Sequence, residues 1–299
     1  MSAAPTTHAP ASRSSAPARL FPATLAWLFL GALTLYFLFP IFWLLVSATK
    51  DTSEMGGTNG FWFADAGFLS GLWDNVDTLF TTEDGVFGRW LLNSAVYAGL
   101  GALGSTVVSA FAGYALAKFR FAGRDAVFAG ILGGVLVPGT VLALPLFLLM
   151  SRLNLTDTYW AVLLPCLVNP FGVYLCRVYT AAAMPDELLE AARIDGAGEV
   201  RIFTTVASRI LSPALVTVYL FSFVSIWNNF FLPLVMLTDR DLWPATLGLY
   251  GWQQQSMTMP EVTTVVITGS LVSTLPLMVV FFAMQRYWRA GLTVGSLKG

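Results

Sequence analysis

The feature that most constrains this chain is a set of long, almost uncharged apolar runs. The run from Leu25 to Val46 contains no charged residue, and as a helix it can cross a bilayer core of about 30 Å, which takes roughly 20 residues. A cleaved signal peptide has a shorter apolar region of about 7–15 residues, so a retained first helix is predicted. Five more runs meet the length criterion, one of them interrupted near its end by Arg177: Leu91–Ala117, Ala126–Met150, Thr158–Val178, Ile210–Leu237 and Val262–Met284. The sequence predicts an all-α integral membrane protein with six transmembrane helices.

Composition agrees with this class and excludes others. Charged residues make up 11% of the chain, against about 25% in soluble domains, so there is too little polar material to cover a water-facing surface. The 16 Lys and Arg residues are balanced by 17 Asp and Glu residues. This balance provides no basic face for nucleic acid.

The sequence lacks the arrangements of residues on which common catalytic and metal sites depend. His8 is the single histidine, so neither a Ser-His-Asp set nor a zinc signature is available. Cys166 and Cys176 lie ten residues apart in one apolar segment, which is neither a redox pair nor a metal-ligand spacing. No Gly-rich phosphate loop precedes any lysine. We therefore expect no enzymatic activity and no bound cofactor in this chain.

The distribution of basic residues predicts the orientation. The N-terminal tail, the second and fourth predicted loops and the C-terminus hold twelve of the 16 basic residues. By the positive-inside rule, both termini are cytoplasmic and the protein is a multi-pass protein of the cell membrane. The predicted organisation is a disordered tail at 1–20, a first transmembrane helix with an outer loop at 21–90, and a five-helix core at 91–299. The tail is predicted to be disordered because it is polar and Pro-rich.

One cytoplasmic loop, residues 180–209, is too long for a simple turn. Pro185 and the acids after it suit a helix start, and Gly196 and Gly198 suit its end. An apolar stripe then indicates a second helix. We call residues 185–209 the knuckle. It either inserts into a groove of a soluble partner or lies as an amphipathic helix on the bilayer surface.

The knuckle resembles a family motif. Glu190-Ala191-Ala192, three residues and then Gly196 are similar to the coupling motif of binding-protein-dependent ABC importer permeases. The family pattern continues with Ile-x-Leu-Pro, where this chain has Ser208-Arg209 in place of Leu-Pro and a proline only at Pro213.

The resemblance extends over about 90–299 and is closest to sugar-importer permeases of the maltose type. It rests on Asn93-Ser94, Ala112-Gly113-Tyr114-Ala115, Phe119-Arg120-Phe121, Pro185-Asp186-Glu187-Leu188, Ser225-Ile226-Trp227-Asn228-Asn229-Phe230, Gln285-Arg286-Tyr287 and the terminal Gly291–Gly299 segment.

The resemblance implies the fold of a type I ABC importer permease and a set of partners. These are a second permease subunit in a heterodimer, two ATP-binding-cassette ATPase subunits that bind the ATP, and an extracytoplasmic solute-binding protein. It also implies that Gly295–Gly299 reach the ATPase interface. The residues that it assigns to ATPase coupling are Glu190, Ala191, Ala192, Asp195 and Gly196.

Uncharged polar residues suggest where a solute passes. Ser225, Asn228 and Asn229 lie in the fifth predicted span beside Trp227, and amides, hydroxyls and aromatic faces suit a neutral, hydroxyl-rich solute. The alternative is that they only hydrogen-bond between helices. No charged residue lies in the middle of a predicted span, which disfavours an ion-coupled carrier or channel. An intramembrane enzyme would need a nucleophile with a base or a metal set, and the sequence offers neither.

Overall fold

The computed structural model describes residues 23–64 and 67–296, and within these ranges it contains helices and no strand. The predicted disordered tail at 1–20 and the last residues of the predicted terminal contact, 297–299, lie outside the described residues. The long helices are α1 (Ala23–Ser47), α4 (Val86–Lys118) and α15 (Val262–Ser296). The shorter helices are α2 (Thr52–Gly57), α3 (Phe68–Thr81), α5 (Arg124–Val135), α6 (Gly139–Arg152), α7 (Tyr159–Cys166), α8 (Pro170–Ala183), α9 (Asp186–Ile194), α10 (Glu199–Ile202), α11 (Ser208–Ile210), α12 (Ser212–Trp227), α13 (Phe231–Met236) and α14 (Ala245–Gln255).

The helices reproduce the predicted membrane protein, with breaks that the hydropathy pattern alone does not place. In the described part of the chain four helical stretches are long and apolar enough to cross a membrane, and there are up to six if each of two bent pairs counts as one span. The pair α5 and α6 is bent by 106°, and the chain from Glu199–Ile210 into α12 is bent by 81°. Pro138 stands at the first bend, where proline removes a helical hydrogen bond and restricts the residue before it. Pro213 follows the second bend and lies in the first turn of α12.

The part of α1 that precedes Leu44 forms a unit of its own. From Leu25 to Trp43 its side chains are exposed and almost all apolar, with Trp27 at 74% and Tyr36 at 72% exposure. A surface of this kind is stable only against lipid or another protein.

Helix α4 is the centre of the second unit, residues 44–299. It crosses α8 where Gly113 faces Cys176: a Cβ at Gly113 would lie 2.5 Å from the Cβ of Cys176. Gly101 and Gly104 similarly admit side chains of Ile226 and Leu167. Glycine at these positions allows the helices to approach closely, as small residues do in membrane bundles. At Gly99, in contrast, an added Cβ would meet nothing within 4 Å.

Candidate functional site

The knuckle has the predicted helix, glycine turn and second helix. Helix α9 begins after Pro185, which is its N-cap, and Asp186 and Glu187 lie in its first turn, where acids favour the positive end of the helix dipole. Gly196 has φ +79°, a left-handed conformation that glycine adopts at little cost. The chain then re-enters helix at Glu199.

Burial separates the two sides of the knuckle. Leu189 is 2% exposed and packs with Met184 and Ile202 in a buried apolar cluster. Ala192 is half-buried against the same cluster, so these two residues define the inward side rather than Leu188, which is 40% exposed.

The predicted coupling residues lie mostly on the opposite side. Four are exposed: Glu190, Ala191, Asp195 and Gly196. Two large apolar side chains of the knuckle that the sequence analysis did not single out are also exposed, Ile194 at 85% and Val200 at 71%. Their apolar character on a polar loop was the signal that could have identified them.

Polar contacts fix the knuckle to the end of α4. The Lys118 side chain is 6% exposed, and its ammonium lies 2.6 Å from Asp186 Oδ1 and also donates to the Met184 carbonyl. This hydrogen bond and the charge of Lys118 lower the pKa of the Asp186 carboxyl below its ordinary value. The glycine turn is closed by a second pair, in which Arg193 Nε lies 2.7 Å from Glu199 Oε1.

The second half of the knuckle departs from the family pattern in a visible way. A π-helical turn occupies Phe203–Ala207, and α11 continues through Arg209 to Ile210. Pro213 lies in the first turn of α12, where its missing amide hydrogen costs no helical bond. The helix direction therefore changes at Leu211, after Ser208-Arg209 rather than at them.

A cavity of about 950 Å³ lies between the broken helices. It is bordered by the break between α7 and α8 at 167–169 and by the break between α12 and α13 at 228–230. The residues that line it and carry polar side chains are Ser105, Thr140, Asn169, Ser222, Ser225, Asn228 and Asn229. Phenylalanines add aromatic surface: Phe171, Phe221, Phe230 and Phe231.

The structure divides the predicted pathway residues. Ser225, Asn228 and Asn229 line the cavity. Trp227 does not, because its indole is 3% exposed and packs with Ala98, Ala102 and other residues on the α4 side. The side-chain amide of Asn228 donates to the Val224 carbonyl at 2.8 Å.

Three further polar residues form a connected set at the cavity wall. Asn169 Nδ2 donates to Ser222 Oγ at 3.0 Å, and Ser222 Oγ lies 3.3 Å from Ser105 Oγ. Asn169 also caps α8 by accepting the Gly172 amide at 2.9 Å. The pairing of Asn169 with Pro170 indicates this helix break in the sequence. The position of Ser105 on the cavity side of α4 carries no such signal.

Comparison with known proteins identifies the architecture. A family model described as "Binding-protein-dependent transport system inner membrane component" matches residues 105–293. A similar fold occurs in the crystal structure of a bacterial ABC transporter involved in the import of the acidic polysaccharide alginate. One of its chains matches with a TM-score of 0.75 and 23% sequence identity, over 89% of this chain and 96% of that chain. That likeness supports the fold, a type I importer permease fold.

Relatives in sequence extend over almost the whole chain. The arabinooligosaccharides transport system permease protein AraQ of Bacillus subtilis is 34% identical over 91% of this chain and 94% of its own. The lactose transport system permease protein LacG of Rhizobium radiobacter is 33% identical over 87% and 91%. The sn-glycerol-3-phosphate transport system permease protein UgpE of Yersinia pestis is 30% identical over 86% and 91%. The chain is thus a multi-pass cell-membrane protein that belongs to the binding-protein-dependent transport system inner membrane components, the permease subunits of ABC importers.

Proposed function

We propose that this chain is one membrane half of an importer that moves a sugar, an oligosaccharide or another carbohydrate, into the cell. It pairs with a second permease subunit, and a solute-binding protein delivers the sugar from outside. Two ATP-binding-cassette subunits bind and hydrolyse the ATP and receive the knuckles of the two permeases. The chain itself makes and breaks no covalent bond and holds no cofactor.

The observation that carries the coupling role is the outward face of the knuckle. Ile194 and Val200 are exposed apolar side chains in the same loop as the exposed Glu190 and Ala191. Exposed apolar residues with a polar rim are typical of protein interfaces. Leu189 packs the inward face into the buried cluster, and Lys118 of α4 pairs with Asp186 at the start of α9. A movement of the knuckle on ATPase binding is therefore transmitted to α4. These contacts favour an ATPase groove over a bilayer surface as the binding partner.

The lining of the cavity is the observation that supports a neutral, hydroxyl-rich solute. Each described residue that lines it is uncharged, and amides and hydroxyls alternate there with phenylalanine rings. Sugars combine hydroxyls with apolar ring faces, and such sites bind them through both. Two of the relatives are named for sugars, arabinooligosaccharides and lactose.

Co-purification with the ATPase subunit tests the coupling role. We expect Ile194→Asp, Glu190→Arg and Gly196→Pro to insert in the membrane but to lose the ATPase. Ile194→Asp is the sharpest variant, because a side chain that is 85% exposed contributes little to folding of this chain. Asp77→Arg, an exposed charge reversal on α3, is the control and retains the ATPase. If Ile194→Asp and the control bind equally, the knuckle is not the docking element.

Uptake by the reconstituted importer tests the pathway. With labelled arabinotriose and lactose as probes, Asn228→Ala and Ser225→Ala are expected to lower uptake while ATPase binding persists. Unchanged uptake and unchanged ATP coupling in both variants would contradict a role for this face of the cavity. Uptake that follows an ion gradient without the ATPase would instead indicate a carrier.

A further inference from the structure

A stripe of α4 side chains binds the backbone of the segment between α13 and α14. The stripe consists of Trp90, Asn93, Ser94 and Tyr97, which lie on one face because helical neighbours recur at three- and four-residue steps. Residues 237–245 are called the outer segment. Nearly every polar group of the stripe forms a hydrogen bond with this segment.

The hydrogen bonds are directed at four consecutive carbonyls. Trp90 Nε1 donates to the Arg240 carbonyl at 2.8 Å, and Tyr97 donates its hydroxyl to the Leu242 carbonyl at 2.9 Å. Asn93 Nδ2 donates to the carbonyls of Asp241 at 2.8 Å and Trp243 at 3.0 Å. Farther along, the Ala245 amide donates to Ser94 Oγ at 2.8 Å. Since the bonds reach the main chain, they fix the path of the segment whatever its side chains are.

Asn93 is the centre of this arrangement. It is 1% exposed, and its carbonyl oxygen accepts the Tyr159 hydroxyl at 2.7 Å. Both donor bonds and this acceptor bond join α4, the outer segment and α7 at one side chain. A buried polar residue whose bonds are all satisfied specifies one arrangement of its neighbours.

Thr246, the residue directly after the outer segment, connects this segment to the cavity. Thr246 Oγ1 donates to the Asn229 carbonyl at 3.1 Å. In a continuous helix that carbonyl would accept the amide of residue 233, but Pro233 has no amide hydrogen. Thr246 replaces the missing donor, and Asn229 lines the cavity. The position of the outer segment therefore sets the position of the cavity wall at 228–232.

We propose that Asn93 is a positioning residue for transport: through the stripe it holds the outer segment on α4, and through Thr246 it fixes the wall of the solute cavity. The role rests on the proposed function, because it concerns passage of solute through that cavity. Its loss leaves ATPase docking intact, since the knuckle is attached at the opposite end of α4, and lowers the solute moved for each ATP hydrolysed.

The test uses the complete complex of both permeases, the ATPase subunits and the binding protein. Asn93→Asp keeps the size of the side chain and an acceptor for Tyr159, but replaces the two donor bonds by a carboxyl facing two carbonyls. We expect amide hydrogen exchange in 237–247 and 228–232 to rise by about tenfold or more. Arabinotriose or lactose uptake for each ATP is expected to fall by a similar factor while basal ATP hydrolysis is retained.

Two further variants make the outcome decisive. Ser109→Ala is the control, because Ser109 is equally buried on α4 and its hydroxyl makes no hydrogen bond among the described residues. Tyr97→Phe removes one hydrogen bond of the stripe and keeps its packing, so it tests the proposal if Asn93→Asp fails to fold. We expect it to raise amide hydrogen exchange, and to lower solute uptake for each ATP, by less than Asn93→Asp does. The proposal is overturned if the stripe variants fold but show the same amide hydrogen exchange, and the same solute uptake for each ATP, as Ser109→Ala. A wild-type complex that imports neither probe would count against the proposed function instead, and the exchange data would still decide whether the stripe holds the cavity wall.

Discussion

Substituting Gly113 by alanine is the most direct test of the packing between α4 and α8. The added Cβ would lie 2.5 Å from Cys176 Cβ and 2.7 Å from the Arg177 amide nitrogen, whereas ordinary Cβ contacts begin at 3.4 Å. The second neighbour is main chain, so α8 must retreat by about 1 Å, and interiors at crystal-like density do not yield easily. Overpacking of this kind costs about 1–3 kcal/mol.

The matched control is Gly99→Ala on the same helix, where the new methyl meets nothing within 4 Å. Alanine gains about 0.5–1 kcal/mol over glycine in a helix interior, so the control is expected to be slightly more stable than the wild type. At about 2–4 °C for each kcal/mol, the thermal midpoint of Gly113→Ala is expected to lie about 2–12 °C below that of Gly99→Ala.

The assay is thermal unfolding of the detergent-solubilised protein followed by size-exclusion chromatography. Because both substitutions add one methyl to α4, their difference isolates the helix contact from helix propensity. Equal midpoints for the two variants would refute the reasoning that Gly113 permits this close crossing.

Further predictions concern single contacts. Lys118→Met keeps the buried stem but removes the bond to Asp186, so we expect trypsin to cut the knuckle severalfold faster, while a cutting rate like that of the wild type would exclude a fastening role for Lys118. The Asp157 carboxyl accepts hydrogen bonds from the Asp239 amide and from the amide and hydroxyl of Thr238. These bonds lower its pKa, and the bond from the Asp239 amide contributes most. A carboxyl whose pKa is lower in the folded state adds stability at pH values above its unfolded pKa of about 3.9, and this stability is lost as the pH falls through the folded-state pKa. Asp157→Asn should therefore flatten the plot of stability against pH below about pH 4 and leave its shape between pH 5 and 8 unchanged. Gly248→Ala places a Cβ 2.0 Å from the ring of Trp90, which is buried and hydrogen-bonded, so the yield of folded protein is expected to drop sharply against Gly99→Ala.

The elements that the sequence predicts best are those in which local chemistry and tertiary packing agree. The helix break at Asn169-Pro170 and the glycine turn of the knuckle both follow from the limits of proline and the freedom of glycine, and the structure contains both. The apolar runs predict the spans because lipid requires internally bonded backbone.

The sequence could not show which neighbouring helix or cavity each side chain of a helix faces. The fifth span has no polar stripe clear enough to show that Trp227 points to α4 while Asn228 points to the cavity. Similarly, Leu188 and Leu189 are both plausible inward residues of a short helix, and only packing against Met184 selects the second. Contacts between α4 and the outer segment join residues about 150 positions apart, and no local pattern encodes such pairs.

The helix break before α8 has a consequence for how solute preference can change. Pro170 has no amide hydrogen, so the carbonyl of Cys166, a residue that lines the cavity, cannot receive the bond of a continuous helix. A main-chain acceptor of this kind is not deleted by replacing the Cys166 side chain, and an alanine scan of the lining would not detect it. Under the proposed function, side chains around the cavity can diverge among relatives, and the set of accepted solutes with them, while a main-chain acceptor is inherited with the backbone.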